Sequence, residues 1–247
     1  MIIGAQVGPG PIFHLLKQIN NKGLCIEGAY EMYKQLLNNL PNPNVDKHCG
    51  FITPKNCLSL FKQYNVPISP DILKIDIDGY DLEVLRELLK EYKPKIIVAE
   101  INEKIPPPIH FEVKFNENYG WDTSHFFGFS LQAGFNVLTP LNYHIIRIIE
   151  GNNIVAIHND YFDSEHIINK LKCDIKTMYQ TQYVNTMLQH FPWNKDINHW
   201  LNIKNPVELK DDIFNYFTTE RKMRGLSKLG KPINPDAFEL YISEEIK

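Results

Sequence analysis

Residues 71–81 read DILKIDIDGYD. Ile72, Leu73, Ile75 and Ile77 make a short, mostly β-branched apolar run, the pattern of a strand buried on both faces of a parallel sheet. Asp76 and Asp78 sit at its C-terminal end and Gly79 supplies a tight turn. Leu82, Leu85, Leu88 and Leu89 then recur at helical spacing. The stretch is therefore strand, acidic turn, helix, and ligands of open α/β sheets bind beyond the carboxyl ends of such strands. Asp76 closes a buried strand and has no local capping duty there. Asp78 reads as the N-cap of the following helix, with Asp81 in its first turn favoured by the dipole.

The same alternation extends on both sides. Lys95–Ile101 (KIIVAEI) predicts another buried strand, with Glu100 and Asn102 at its end. Upstream, Met1–Ile3 predicts a strand stub, and Gly4, Gly8 and Gly10 a glycine-rich turn. Ile12, Leu15, Leu16 and Ile19 then mark one face of a helix. Leu24–Ile26 predicts a second strand closed by Glu27, about twenty residues after the glycines, where a carboxylate can accept hydrogen bonds from ribose hydroxyls. Tyr33, Leu36, Leu37 and Leu40 give an amphipathic helix, and Val45–Ile52 a third strand. Thr53 and Pro54 read as a cap and first-turn proline for a helix carrying Cys57, Leu60, Phe61 and Tyr64. The result is a βαβαβαβα run with helical crossovers, a doubly wound Rossmann-like α/β sheet.

Composition fits that class. With 247 residues, 43% hydrophobic and 22% charged, the chain can bury a full core. A net charge of −3 gives nucleic acid no electrostatic foothold. No apolar run is long enough to cross a bilayer and no leader pattern opens the chain, so neither membrane nor nucleic acid is expected as a partner. Cys25, Cys49, Cys57 and Cys173 have no metal-ligand spacing and predict reduced thiols in a cytoplasmic setting.

Beyond Asn102 the pattern loosens. Pro106–Pro108 forces extension, and His110–Phe129 is aromatic and rich in asparagine, which predicts an irregular lid over a site. Ser130–Leu141 predicts a helix, and Tyr143–Ile149 with Ile154–Ile157 a hairpin turning at Asn152 and Asn153. From residue 161 to 247 the chain reads as mostly helical, an extension of the domain at 1–160. Asn205, Pro206 and Glu208 begin one helix with an inner face of Leu209, Ile213, Phe214 and Phe217. The extension is expected to cover the lid or to make a homodimer contact.

Taken in order, GAQVG, IEG, LKIDIDGYD with its leucine helix, KPKIIVAEIN and NNIVAIHND resemble the FkbM-type S-adenosylmethionine-dependent methyltransferases, over about Ile2 to Asp160. The resemblance implies a class I methyltransferase fold and methyl transfer to a hydroxyl of a sugar, glycan or related metabolite. It implies that Gly4, Gln6 and Gly8 line the methionine and ribose side of S-adenosylmethionine, that Glu27 holds the ribose, and that Asp76 sits beside the sulfonium with Glu100 and Asn102 nearby. One position departs from the family pattern: Ile2 stands where an acidic residue two before the first glycine would meet the methionine amino group. The short first strand weakens the same wall, so an impaired enzyme, or an inactive binding module of this fold, is an alternative reading.

Methyl transfer to oxygen requires in-line geometry and a base for the hydroxyl proton. Asp76 and Glu100 are the carboxylate candidates, and Asp76 can instead hold a divalent cation. Imidazole titrates in the right range, so His110 and His125 come into view, and His125 is the candidate base. Asp76-Ile77-Asp78 is also a DxD motif, the metal–diphosphate holder of glycosyltransferases, and that activity is the competing enzyme class.

Overall fold

The computed structural model describes residues 2–3, 11–161, 174–186, 194–220 and 231–243. Two compact units make up the chain, one of residues 1–77 and 83–98, the other of residues 78–82 and 99–247.

The first unit is built from β1 (Ile2–Ile3), α1 (Pro11–Lys17), β2 (Gly23–Glu27), α2 (Tyr30–Asn39), β3 (Val45–Cys49), α3 (Cys57–Gln63), β4 (Ile72–Ile75), most of α4 (Asp81–Leu88) and the start of β5 (Ile96–Glu100). Its strands run in the order β3-β2-β1-β4-β5. The β1–β2, β1–β4 and β2–β3 pairs are parallel, with Ile2 opposite Cys25 and Lys74 and Ile3 opposite Ile26 and Ile75. Strand β1 is thus central although only two residues long. Leu24, Cys25, Ile26, Leu73 and Ile75 are buried, as expected of strands covered on both faces. Phe13 and Leu16 of α1 join Leu36, Leu40 and Val45 in one cluster with Ile2 and Cys25. Asn42 ties the same region together, its Nδ2 donating to the carbonyls of Leu16, Gln18 and Asn21 at 2.7, 2.8 and 3.0 Å.

Two expectations shift here. The third strand stops at Cys49 rather than Ile52. Helix α3 starts at Cys57 rather than after Thr53, because residues 53–56 close a turn: Asn56 Oδ1 accepts from Thr53 N at 2.7 Å and Thr53 O accepts from Cys57 N at 3.0 Å.

In the second unit β5 is followed in strand order by β8 (Asn153–His158) and β7 (Tyr143–Ile149), an antiparallel hairpin with a bulge between Ile145 and Arg147. Helix α5 (Leu131–Leu138) is capped by Ser130, whose Oγ accepts from Ala133 N. The hairpin and this helix match the sequence reading. The expected irregular lid does not: Ile109–Val113 is a fully buried strand, β6, paired antiparallel with β9 (Phe238–Ile242) from the far end of the chain. A local window cannot register a partner so distant. The extension also carries short helices α6 (Ile175–Tyr179) and α7 (Pro206–Asn215). Trp200, Leu209, Ile213 and Phe217 close one core with Ile105, Phe111, Phe126 and Phe238. Residues of the extension therefore share one apolar core with the aromatic segment.

Candidate functional site

Strand β1 lies between β2 and β4, and its register puts Ile3 level with Ile26 and Ile75. Glu27 closes β2 and Asp76 follows β4, each one residue past the register partner of Ile3. Gly4, Gln6 and Gly8, expected to line the cofactor, lie outside the described residues. Glu27 Oε1 accepts from Ala29 N at 2.8 Å. Burial raises the Glu27 pKa, the backbone amides of Ala29 and Gly28 oppose that, and the charge of Asp76 raises it further. Gly28 lets the ring of Phe51 approach, since a Cβ there would meet that ring at 2.5 Å.

Asp76 is 6% exposed. Its Oδ2 takes a 2.6 Å bond from Lys74 Nζ, two residues back on the same side of the strand. Its Oδ1 is buried and has no hydrogen-bond partner among the described residues. A buried carboxylate oxygen without a partner costs free energy that a ligand can offset, so Oδ1 marks where a donor or positive charge fits.

The turn after β4 belongs to the second unit. Asp78 adopts φ 53°, a left-handed conformation that aspartate tolerates better than most residues. Helix α4 starts only at Asp81, so Asp78 is not its N-cap as the sequence suggested. Asp81, wholly buried, accepts from Gly79 N at 2.9 Å instead. Tyr119 OH donates to Asp78 O at 2.8 Å, and Gly128 N donates to Gly79 O at 2.8 Å. A Cβ on Gly79 would lie 2.6 Å from the Tyr119 ring, so glycine is required there. Part of the aromatic segment thus clamps the acidic turn.

Glu100 ends β5, buried, with Oε1 accepting from Asn152 Nδ2 at 2.7 Å. A carboxylate oxygen of Glu100 lies within 4.8 Å of one on Asp78. Asn102 bonds outward, its Nδ2 donating to His125 O at 2.7 Å and Phe127 O at 3.1 Å. His125, expected on an open loop, is fully buried. Its Nε2 faces both oxygens of Asp196 at 3.0 and 3.2 Å, and Tyr216 OH donates to the same carboxylate at 3.2 Å. Asp196 is the residue that sequence reading missed, because nothing local distinguishes it.

A cavity of 580 Å³ in the first unit, lined by Gly23, Leu24, Asp46, Asp71 and Ile72, opens at the amino ends of the strands. That is the end opposite Glu27 and Asp76, where this class of sheet does not bind its ligands.

Residues 56–153 match the family model of the methyltransferase FkbM domain. No curated protein matches the chain. Among solved structures, the N-terminal domain of EvdMO1 with SAH bound is 11% identical, over 64% of this chain and 72% of that one, with a TM-score of 0.38. So distant a likeness bears on neither fold nor ligand.

Proposed function

We propose that the chain is an S-adenosylmethionine-dependent O-methyltransferase on a doubly wound, class I type sheet, acting on a hydroxyl of a sugar, glycan or related metabolite. The observation that carries the reading is Asp76 Oδ1, buried and without a hydrogen-bond partner among the described residues, across β1 from Glu27. The FkbM domain match over residues 56–153 supports it, as does the strand order of the first unit.

S-adenosylmethionine, when bound, supplies a methyl group on a positively charged sulfur. Glu27 accepts the hydrogen bonds of the ribose hydroxyls through the oxygen not taken by Ala29 N. Asp76, with Oδ2 committed to Lys74, turns the negative potential of Oδ1 toward the positive centre. For the acceptor proton we assign Glu100 ahead of His125, whose Nε2 is engaged by Asp196. Residues 1–160 form the catalytic domain in this proposal, 161–247 its extension, and the setting is cytoplasmic. No helix among the described residues is long and apolar enough to cross a membrane.

Calorimetry on the full chain tests the proposal. S-adenosylhomocysteine should bind without added metal, and Asp76→Asn and Glu27→Gln should each weaken it at least tenfold. Glu100→Gln should keep that affinity and lose methyl transfer. Binding of a nucleotide diphosphate with Mn²⁺, and not of S-adenosylhomocysteine, would transfer the site to the DxD glycosyltransferase reading. Binding of neither would leave an inactive module of the fold.

A further inference from the structure

We propose that the two-stranded ribbon of β6 and β9 holds a divalent transition-metal ion through His110, Glu112 and Glu239. His110 and Glu112 are two residues apart on β6 and therefore share a face. Glu239 is the register partner of Glu112 on β9. One donor atom from each residue lies within 4.8 Å of the other two, and His110 Nε2 is 4.0 Å from Glu112 Oε2. Donors on one tetrahedral ion at about 2.0–2.2 Å lie about 3.3–3.6 Å apart, so side-chain movements of about an ångström close the set.

Electrostatics favours an ion here. Like charges directly opposite on an antiparallel pair destabilise it, and Glu112 is 3% exposed. Lys114 Nζ meets Glu239 Oε1 at 3.0 Å on the outer side. A 2+ charge between the two carboxylates would offset the repulsion of this cross-strand pair.

His110 is already held as a ligating histidine is held. Its ring stacks on Tyr241 with centroids 4.2 Å apart, and Nδ1 lies 3.0 Å from the Asn136 amide. Asn136 Oδ1 in turn meets Gln132 Nε2 at 2.9 Å and Ser243 Oγ at 3.1 Å. Exchanging amide O and N along that chain reverses its direction without moving an atom centre. His110 Nδ1–H then donates to Asn136, and the Nε2 lone pair faces the carboxylates. Outer hydrogen bonds of this kind orient metal-bound imidazoles. One imidazole and two carboxylates suit Zn²⁺ or Mn²⁺, with water completing the shell. Because β9 comes from the end of the chain, the ion would staple the extension to β6. None of these residues takes part in the methyl-transfer proposal, so the two stand separately.

The test is a Co²⁺ titration of the full chain, read by visible absorption and by the melting temperature. One equivalent should give the d–d bands of a low-coordinate site and raise the melting temperature. Glu239→Gln, at a half-exposed position, and Glu112→Gln should abolish the bands, and Asn136→Leu should weaken binding about 10- to 100-fold. Asp76→Asn should leave them intact. Absence of bands with one equivalent, bands that survive in both glutamate variants, or bands lost only with Asp76→Asn would each overturn the proposal.

Discussion

The two units of this chain are built by different means. In the first, each strand is followed by the helix that covers the sheet, and its core cluster joins residues 2–45. In the second, Phe111 packs with Phe217 and Phe238, and the strand carrying it pairs with residues close to the end of the chain. Local rules therefore specify the elements of the first unit, although its central strand also pairs with β4 far along the chain. The second depends on contacts that close late, after the entropy of a long loop has been overcome.

The largest effect should come from the second unit's core. Trp200 is fully buried against Tyr216 and Phe217, and its Nε1 donates to Asp212 Oδ2 at 2.7 Å. Trp200→Ala should cost about 3–5 kcal/mol in urea unfolding. Hydrogen exchange should show the loss in β6 and β9 while β2 and β3 keep their protection. A uniform loss over both units would show that they unfold as one cooperative core.

That contrast also explains how much was legible. The strands closed by Glu27 and Glu100, and the one that Asp76 follows, announce themselves by apolar runs ending at an acid. The hairpin at Asn152 and Asn153 does so by alternation. Strand β6 did not, because IHFEV is buried at every position and its partner lies beyond any window. His125 was legible as a titratable residue but not as a buried one, since Asp196 reaches it from the extension. Asp78 looked like a cap because aspartate before a helix usually is one, whereas here the turn takes a left-handed step and Asp81 does the local bonding.

The His125–Asp196 pair sharpens the comparison through pH. Burial raises the Asp196 pKa, but the hydrogen bond and charge of His125, with the Asp196 amide and Tyr216, outweigh it and leave the pKa below its ordinary value. A carboxyl depressed in the folded state gives stability that is present above the unfolded pKa, about 3.9, and is lost as pH falls through the folded one. The wild type should therefore lose stability below about pH 4 more steeply than Asp196→Asn. At pH 7 the variant should be about 1–3 kcal/mol less stable, because the buried imidazole faces a neutral amide in place of a carboxylate. Equal acid slopes for the two proteins would show that the pair does not set acid stability.

In the first unit Asn42 is the counterpart, a single side chain tying three carbonyls of the α1–β2 connection. Asn42→Ala should cost about 1–2 kcal/mol by leaving carbonyls unmet. Its effect on exchange should stay within α1, β2 and β3, since the contacts it serves are local.

The smallest effect has the opposite sign, and it separates folding from function within the first unit. Burial raises the Glu27 pKa, with a further contribution from Asp76. A carboxyl raised in the folded state favours folding when protonated, and that contribution is lost as pH rises from the unfolded value, about 4.3, through the folded one. At pH 7 the ionised Glu27 therefore opposes folding, which a residue kept for stability alone would not do. Glu27→Gln should melt at a slightly higher temperature than the wild type at pH 7, and the difference should vanish below about pH 4, where both side chains are neutral. The same variant should bind S-adenosylhomocysteine at least tenfold more weakly. A variant less stable than the wild type at pH 7, with affinity unchanged, would make Glu27 a structural residue of the β2 end and take the ribose contact away from it.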